Sequence, residues 1–362
     1  MPRPAPRRLI VNGRFLSGPR TAVNSVARDL TCALSAVRDG WDVTLAVPPS
    51  LADPATALGL PMRVLGHRDG IAWEQLEFPE LAREGVLAGF FNTVPLRGRG
   101  HVTMLHDAQV FDAPESYGRT TRLWRRLLSR RAARPGNHVL TISNYSRAAL
   151  LRNGLGTPDR IAVVPNGLGA VSTVALDLGI LSRLSLHAKG FCVGLATLLP
   201  HKNIRRLIEM FGDPRLASIQ LVLFGNASRD DFIATGVTPG DNVIFAGFVS
   251  DAELAALYAN ALAALVPSLE EGFGLLALEA MSRGAAAFVA DRAALPEVVG
   301  KDGLVLPATD MKAWTDALLA LRQDPARQEA MAEAGKRRAA KFTWAAAAET
   351  ATGHLDRWYS RV

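Results

Sequence analysis

Apolar residues along this chain fall into short runs broken by Gly, Pro, Asp and Asn, with longer segments of helical spacing between them. In the first half, Leu9–Val11, Trp41–Val47, Met62–Leu65, Val102–Leu105, Val139–Ile142 and Ile161–Val164 read as strands. The second half repeats the rhythm more clearly, with strands expected at Gly190–Ala196, Ile219–Phe224, Val243–Phe245, Ala261–Val266, Ala285–Ala290 and Gly303–Val305. Helical spacing covers Val23–Val37, Asn203–Phe211, Asp251–Asn260, Leu275–Arg283, Met311–Arg322, Pro325–Lys341 and an Ala-rich last segment, Trp344–Arg361. Strands separated by helices predict parallel sheets with right-handed crossovers. The signal is irregular near Gly167–Leu186, so two α/β domains are expected, 1–172 and 173–345. The terminal helix, 346–362, is expected to pack back on the first.

At 362 residues the chain has room for two cores. Its 49% hydrophobic and 21% charged content is that of a globular protein rather than a disordered one. No apolar run approaches a membrane span, and no signal-type apolar region follows Met1–Arg8, so a cytoplasmic protein is expected. Cys32 and Cys192 stand far apart without a Cys/His cluster, which speaks against a disulfide framework or a zinc site.

The formal net charge of +7, with a pI near 9.8, suits an anionic ligand or surface. Much of the excess lies in Arg119, Arg122, Arg125, Arg126, Arg130, Arg131 and Arg134, interleaved with Leu123, Trp124, Leu127 and Leu128. This is a basic amphipathic helix. One reading is a solvated face on a core helix; the other is peripheral contact with an anionic membrane or a lipid-linked phosphorylated acceptor. No aromatic-interleaved basic sheet, helix-turn-helix or zinc knuckle accompanies the charge, so nucleic acid is not an expected partner.

Three constellations follow expected strands. In Pro267–Met281, two carboxylates, Glu271 and Glu279, stand eight positions apart across a Gly272-Phe273-Gly274 turn that opens the helix beginning at Leu275. Backbone N–H groups and a helix N-terminus gathered at one spot suit a phosphate. Acids at either end suit a molecule with a diphosphate in its middle, such as a nucleotide sugar. In Thr197–Asn203, Lys202 can reach such a diphosphate and Asn203 is the expected helix N-cap. His106, with Asp107 beside it, follows the strand Val102–Leu105. No GxGxxG follows the first strand, and no GxxxxGK[ST] or GxSxG occurs. Asn144-Tyr145-Ser146 and Asn226-Ala227-Ser228 match glycosylation sequons, which carry no meaning in a cytoplasmic protein.

Glu271-Gly272-Phe273-Gly274-Leu275 with Glu279-Ala280-Met281 resembles the E-x7-E signature of the retaining glycosyltransferase family 4, whose fold is GT-B. His106–Phe111, Thr141–Ser146, Pro165-Asn166-Gly167, Pro200–Asn203, Gly247–Asp251, Leu257-Tyr258 and Leu295–Val298 resemble further family segments. Trp73-Glu74-Gln75 and Asn92-Thr93-Val94-Pro95 resemble a mannosyltransferase-like group of bacterial polysaccharide synthesis.

The resemblance implies two Rossmann-like α/β domains facing across a cleft, acceptor-side first and nucleotide-sugar-binding second. It implies transfer from a nucleotide-diphosphate sugar, GDP-mannose favoured, to a glycan or lipid-linked acceptor, without a metal or other cofactor. Lys202 would hold the diphosphate, Glu279 the ribose hydroxyls and Glu271 the donor sugar. Backbone groups at Gly272, Phe273, Gly274 and Leu275 would hold sugar and phosphate, with Thr197, Asn203 and Gly225 as further donor contacts. His106 would touch the donor sugar from the other domain.

Five positions depart from the family pattern. Thr197, preceded by Ala196, stands where a Gly-Arg pair is usual, and Leu276 replaces a Pro. Thr21-Ala22-Val23-Asn24-Ser25 lacks the Gly and Arg of the usual first loop. These leave two alternatives open: a non-catalytic protein that binds nucleotide sugar or glycan, and a nucleotide-sugar epimerase on the same fold.

Overall fold

The computed structural model describes residues 7–18, 21–37, 41–53 and 58–360. The chain forms two compact units. One runs to Gly167 and takes up the chain again from Thr343; the other spans Leu168–Phe342.

The first unit is built on seven strands: β1 (Arg7–Asn12), β2 (Trp41–Val47), β3 (Met62–Val64), β4 (Val86–Gly89), β5 (Val102–Met104), β6 (His138–Thr141) and β7 (Ile161–Val163). All pairs are parallel, in the order β3-β2-β1-β4-β5-β6-β7. Helices cover both faces of such a sheet, which is why its strands are near-continuous apolar runs; Leu9, Ile10 and Val11 are all buried. β4 is not among the expected strands, yet it is central. Its segment, Val86-Leu87-Ala88-Gly89, is a short apolar run whose periodicity cannot separate strand from buried helix. The helix Asn144–Arg152 is likewise unexpected; Ser143 caps it, its side chain accepting from Ser146 N at 2.9 Å.

The last helix, Trp344–Tyr359, packs on the first one, Ala22–Ala36. Asp356 Oδ1 accepts from Arg7 Nη1 at 2.8 Å and from Trp41 Nε1 at 2.9 Å. Trp358 stacks on His138 with ring centroids 5.7 Å apart. The basic helix spans Arg119–Ala132. Leu128 and Ala132 enter the core, whereas Leu123 and Leu127 lie on its outer side.

The second unit holds β8 (Phe191–Ala196), β9 (Gln220–Gly225), β10 (Val243–Gly247), β11 (Ala263–Val266), β12 (Ala286–Ala290) and β13 (Leu304–Leu306). Every pair is again parallel, in the order β10-β9-β8-β11-β12-β13. The helix Asp251–Asn260 begins with a reciprocal capping box between Ser250 and Glu253. Among the described residues, no helix is long and apolar enough to cross a membrane.

Candidate active site

In an open α/β sheet, ligands bind beyond the carboxyl ends of the strands where strand order reverses. In the second unit that point lies between β8 and β11, and both loops leaving these strands carry candidate residues. Several bonds tie the loops together. Leu269 N donates to His201 O at 2.7 Å, and Asn203 Nδ2 donates to Pro267 O and Ala308 O, each at 3.1 Å. Lys202 Nζ meets Glu271 Oε2 at 2.6 Å, with side-chain exposures of 18% and 20%. Two residues 69 apart in sequence are thus one ion pair at the sheet's switch point.

Asn203 corrects one expectation. It is not an N-cap through its side chain: it sits in the left-handed region at φ 60°, and its amide is committed to the backbone of two other loops. It therefore fixes the spacing between the β8 and β11 loops. Thr197 is buried, with Oγ1 accepting from Leu199 N at 3.3 Å, so its hydroxyl shapes the start of the same loop. Gly225 ends β9 at φ 140°, where a Cβ would lie 2.5 Å from Ala196 O. Only glycine lets these two strand ends approach so closely.

Gly272, Phe273 and Gly274 are buried, and Phe273 packs edge-on against Phe342 at 5.8 Å. Its ring belongs to the core, leaving only backbone groups for a ligand. Gly274 precedes the helix Leu275–Ser282 in the left-handed region at φ 102°, and a Cβ there would stand 2.7 Å from Leu295 Cδ2. Leu275 begins the helix, where the first N–H groups have no intrahelical partner.

Glu279 lies in the second turn of that helix and is half-buried. Burial, with a smaller contribution from Asp251, pushes its pKa up to about 8. Its carboxyl is therefore an acid tuned toward neutral pH. Beside it, the Tyr258 hydroxyl is buried without a hydrogen-bond partner among the described residues, and burial and Glu279 together raise its pKa well above the usual range. Tyr258 and Phe248 carry no role in the sequence reading beyond their place in family-like segments. Phe248 follows β10 and is 84% exposed, an uncovered aromatic ring at the carboxyl ends of the strands.

In the first unit, His106 is buried just after β5. Its Nε2 lies 2.9 Å from Phe90 O, so that nitrogen carries the proton and Nδ1 is left as the acceptor. Burial lowers its pKa, which keeps the ring neutral. Asp107 does not hold the imidazole: its Oδ1 accepts from Gln109 N at 2.9 Å. That bond secures the turn leading into Gln109–Asp112.

Two parallel six- and seven-stranded sheets, each with a polar site at its switch point, place the chain in the GT-B class. Sucrose-phosphate synthase from Thermosynechococcus elongatus shares this fold, with a TM-score of 0.72 and 18% identity over 98% of this chain and 100% of that one. Residues 187–338 match the family described as Glycosyl transferases group 1. The chain is 30% identical to O-antigen chain mannosyltransferase B from Escherichia coli over 69% of its own length and 68% of the relative's. It is 32% identical to MMP alpha-(1->4)-mannosyltransferase from Mycolicibacterium hassiacum over 65% of its own length and 57% of that relative's. The chain belongs to the group 1 glycosyltransferases.

Proposed function

We propose that this glycosyltransferase moves mannose from GDP-mannose, with retention at the anomeric carbon, to a glycan or lipid-linked acceptor in polysaccharide synthesis. The observation that carries the reading is the Lys202–Glu271 pair at the β8/β11 switch point, beside the N-terminus of the helix Leu275–Ser282. The mannosyltransferase names of its relatives support the sugar. On donor binding, the diphosphate replaces Glu271 as the partner of Lys202. Glu271 is then released to accept hydroxyls of the donor sugar, and Glu279 takes those of the ribose. The acceptor oxygen bonds the anomeric carbon from the face the diphosphate leaves. The C1–O bond to the diphosphate breaks, and the acceptor's proton passes to the departing phosphate. Lys202 and the N–H groups of Phe273, Gly274 and Leu275 meet the charge that develops there, a fixed arrangement that needs no reorganisation during reaction.

Purified Lys202→Ala and Glu271→Ala variants, shown to be folded by circular dichroism, test this directly. The expected result is weakened nucleotide binding in the first and lost transfer with retained nucleotide binding in the second. Transfer at wild-type rate by both would sink the proposal. Nucleotide binding with no release in the presence of acceptor would favour a non-catalytic protein, and sugar interconversion without acceptor would favour an epimerase.

A second reading concerns place of action, at the cytoplasmic face of a membrane. Leu123 and Leu127 are 66% and 46% exposed on the helix Arg119–Ala132, one turn apart and flanked by Arg119 and Arg130. Apolar residues ringed by arginines fit an anionic bilayer surface. Leu123→Glu with Leu127→Glu is expected to abolish co-sedimentation with phosphatidylglycerol vesicles at low salt. Equal sedimentation of variant and wild type would refute it.

A further inference from the structure

Burying an imidazole with neither nitrogen bonded costs free energy, and His138 is buried in that way. It opens β6 with 3% of its surface exposed, and among the described residues neither Nδ1 nor Nε2 has a hydrogen-bond partner. Stacking holds the ring instead. Trp358 lies 5.7 Å away at 20°, and His354 6.5 Å away at 33°. Both partners belong to the last helix, Trp344–Tyr359. Burial first, then His354 and Arg357, lowers the His138 pKa to about 4, so the ring is neutral at physiological pH. A neutral imidazole has one N–H to give and one bare nitrogen to fill.

The ring lines a cavity of about 650 Å³, shared with Arg147, Asp159, Arg160, His354 and Arg357. That volume is in the ordinary range for a small-molecule site. Every one of these residues belongs to the first unit, so the cavity is complete within it. His138 and Ile161 begin β6 and β7, which places them at the amino ends of their strands, whereas His106 follows the carboxyl end of β5. β7 is the last strand of its sheet, three places from β4 and four from β1. The cavity is therefore separate from the β1/β4 switch point of the same sheet.

Neutral groups place each guanidinium in the wall. Arg147 donates to Pro158 O at 2.8 Å and to Ile161 O at 3.1 Å. Arg160 donates to Thr157 Oγ1 at 3.0 Å and to Ala133 O at 3.3 Å. Arg357 Nη2 donates to His354 Nδ1 at 3.0 Å. These bonds fix the side chains without cancelling their charge. Arg147 Nη1, Arg160 Nη2 and Arg357 Nη1 keep no hydrogen-bond partner among the described residues. Against the three arginines the lining sets one carboxylate, Asp159, which leaves a surplus of two positive charges. A phosphate monoester carries close to that charge with opposite sign near neutral pH.

We infer that this cavity is a binding site for a phosphorylated sugar, its phosphate among Arg147, Arg160 and Arg357 and its hydroxyls on His138. The arginines select the phosphate, because their unused Nη groups are charge-assisted donors to its oxygens. His138 selects the hydroxyls. A hydroxyl both gives and accepts, so adjacent ones satisfy the N–H and the bare nitrogen together, whereas the oxygens of a phosphate dianion only accept. A ligand seated there touches β6, the segment leading into β7 and the last helix at once. It binds the folded first unit and not the unfolded chain, so it also fastens the last helix to the sheet.

The test titrates the full chain by calorimetry with mannose 6-phosphate, mannose 1-phosphate, mannose and inorganic phosphate, with GDP held at saturation to occupy the donor loops. At least one sugar phosphate is expected to bind about tenfold or more tightly than mannose or inorganic phosphate, the loss of one charge-assisted contact or of the hydroxyl pair. His138→Phe keeps a ring on Trp358 and removes both nitrogens, so sugar phosphate affinity should fall by about tenfold. Its urea midpoint should stay level or rise, since no buried polar atom is left unsatisfied. Arg357→Gln, on the exposed side of the last helix, should weaken binding by a similar factor and carries the test alone if His138→Phe does not fold. Sugar phosphate affinity unchanged in both variants overturns the inference, as does the absence of binding to wild type. Equal affinity for mannose or for inorganic phosphate overturns it too. A lowered urea midpoint in His138→Phe with binding intact would make the imidazole structural and has the same force. Failure of GDP to bind would count against the Lys202 donor site, and the comparison of His138→Phe with wild type would still decide.

Discussion

Replacing Glu279 with Gln removes a charge while keeping the shape of the side chain, and the consequence depends on pH in a way that can be worked out. The carboxyl titrates near 8 in the folded chain against an ordinary value of 4.5. The folded chain therefore holds this proton more tightly than the unfolded chain does. Below about pH 4.5 both states are protonated and the site contributes nothing. As pH rises toward 8 the unfolded chain releases the proton and the folded chain does not, so wild-type stability falls; above 8 the loss is complete. At about 1.4 kcal/mol per pH unit across that range the ceiling is about 5 kcal/mol, and solvent screening of a half-buried side chain brings it to about 2–3 kcal/mol. The amide of the Glu279→Gln variant does not titrate, so the variant has no such dependence. Urea unfolding of wild type and Glu279→Gln at pH 5, 6, 7 and 8 is expected to give near-equal stability at pH 5 and a growing advantage for the variant above it. Carbon-13 NMR of the wild-type carboxyl gives the titration midpoint directly. A stability difference that stays constant from pH 5 to 8, or a carboxyl midpoint between 4 and 5, would refute the reasoning. If ribose hydroxyls donate to the ionised group, nucleoside diphosphate affinity should also rise with pH in wild type and stay flat in the variant.

Gly274→Ala places a side chain at φ 102° and within 2.7 Å of Leu295 Cδ2, so a loss of about 1–3 kcal/mol is expected in the urea midpoint, with weaker nucleotide binding. Phe248→Ala removes an 84% exposed ring and should leave stability within about 0.5 kcal/mol of wild type. If that ring stacks on the nucleobase, calorimetry with GDP will show a loss of about 1–3 kcal/mol; unchanged affinity excludes the stack. Trp358→Ala strips the stack on His138 and should lower the unfolding free energy by about 3–5 kcal/mol, read by urea unfolding.

Strands with clear boundaries announce themselves in the sequence. Trp41–Val47, flanked by punctuation, matches its observed ends, as does the helix Asp251–Asn260 with its Ser-Asp-x-Glu start. β4 does not, because four buried apolar residues ending in Gly satisfy strand and helix alike. Lys202 and Glu271, which pair at the β8/β11 switch point, are readable because each lies on the loop that directly follows an expected strand. The environment of Glu74 is not. Its partners Asn12 and Thr93 lie 62 and 19 positions away, and only the sheet order brings them together. Asn203 shows the opposite failure. Local rules make it a helix cap, and tertiary bonds to Pro267 and Ala308 override them.

The return of the last helix to the first unit has a kinetic meaning. Arg7 and Asp356, 349 positions apart, close a hydrogen bond within one compact unit, while the unit between them is a single continuous stretch. During synthesis the second unit has all its parts in hand once Phe342 has emerged, whereas the first lacks a wall until the final helix arrives. The usual N-terminal-first order of domain maturation is thus inverted for completion. Until then the face of Ala22–Ala36 that receives the helix stands open, so this seam is where a nascent or destabilised chain is most exposed to association with others.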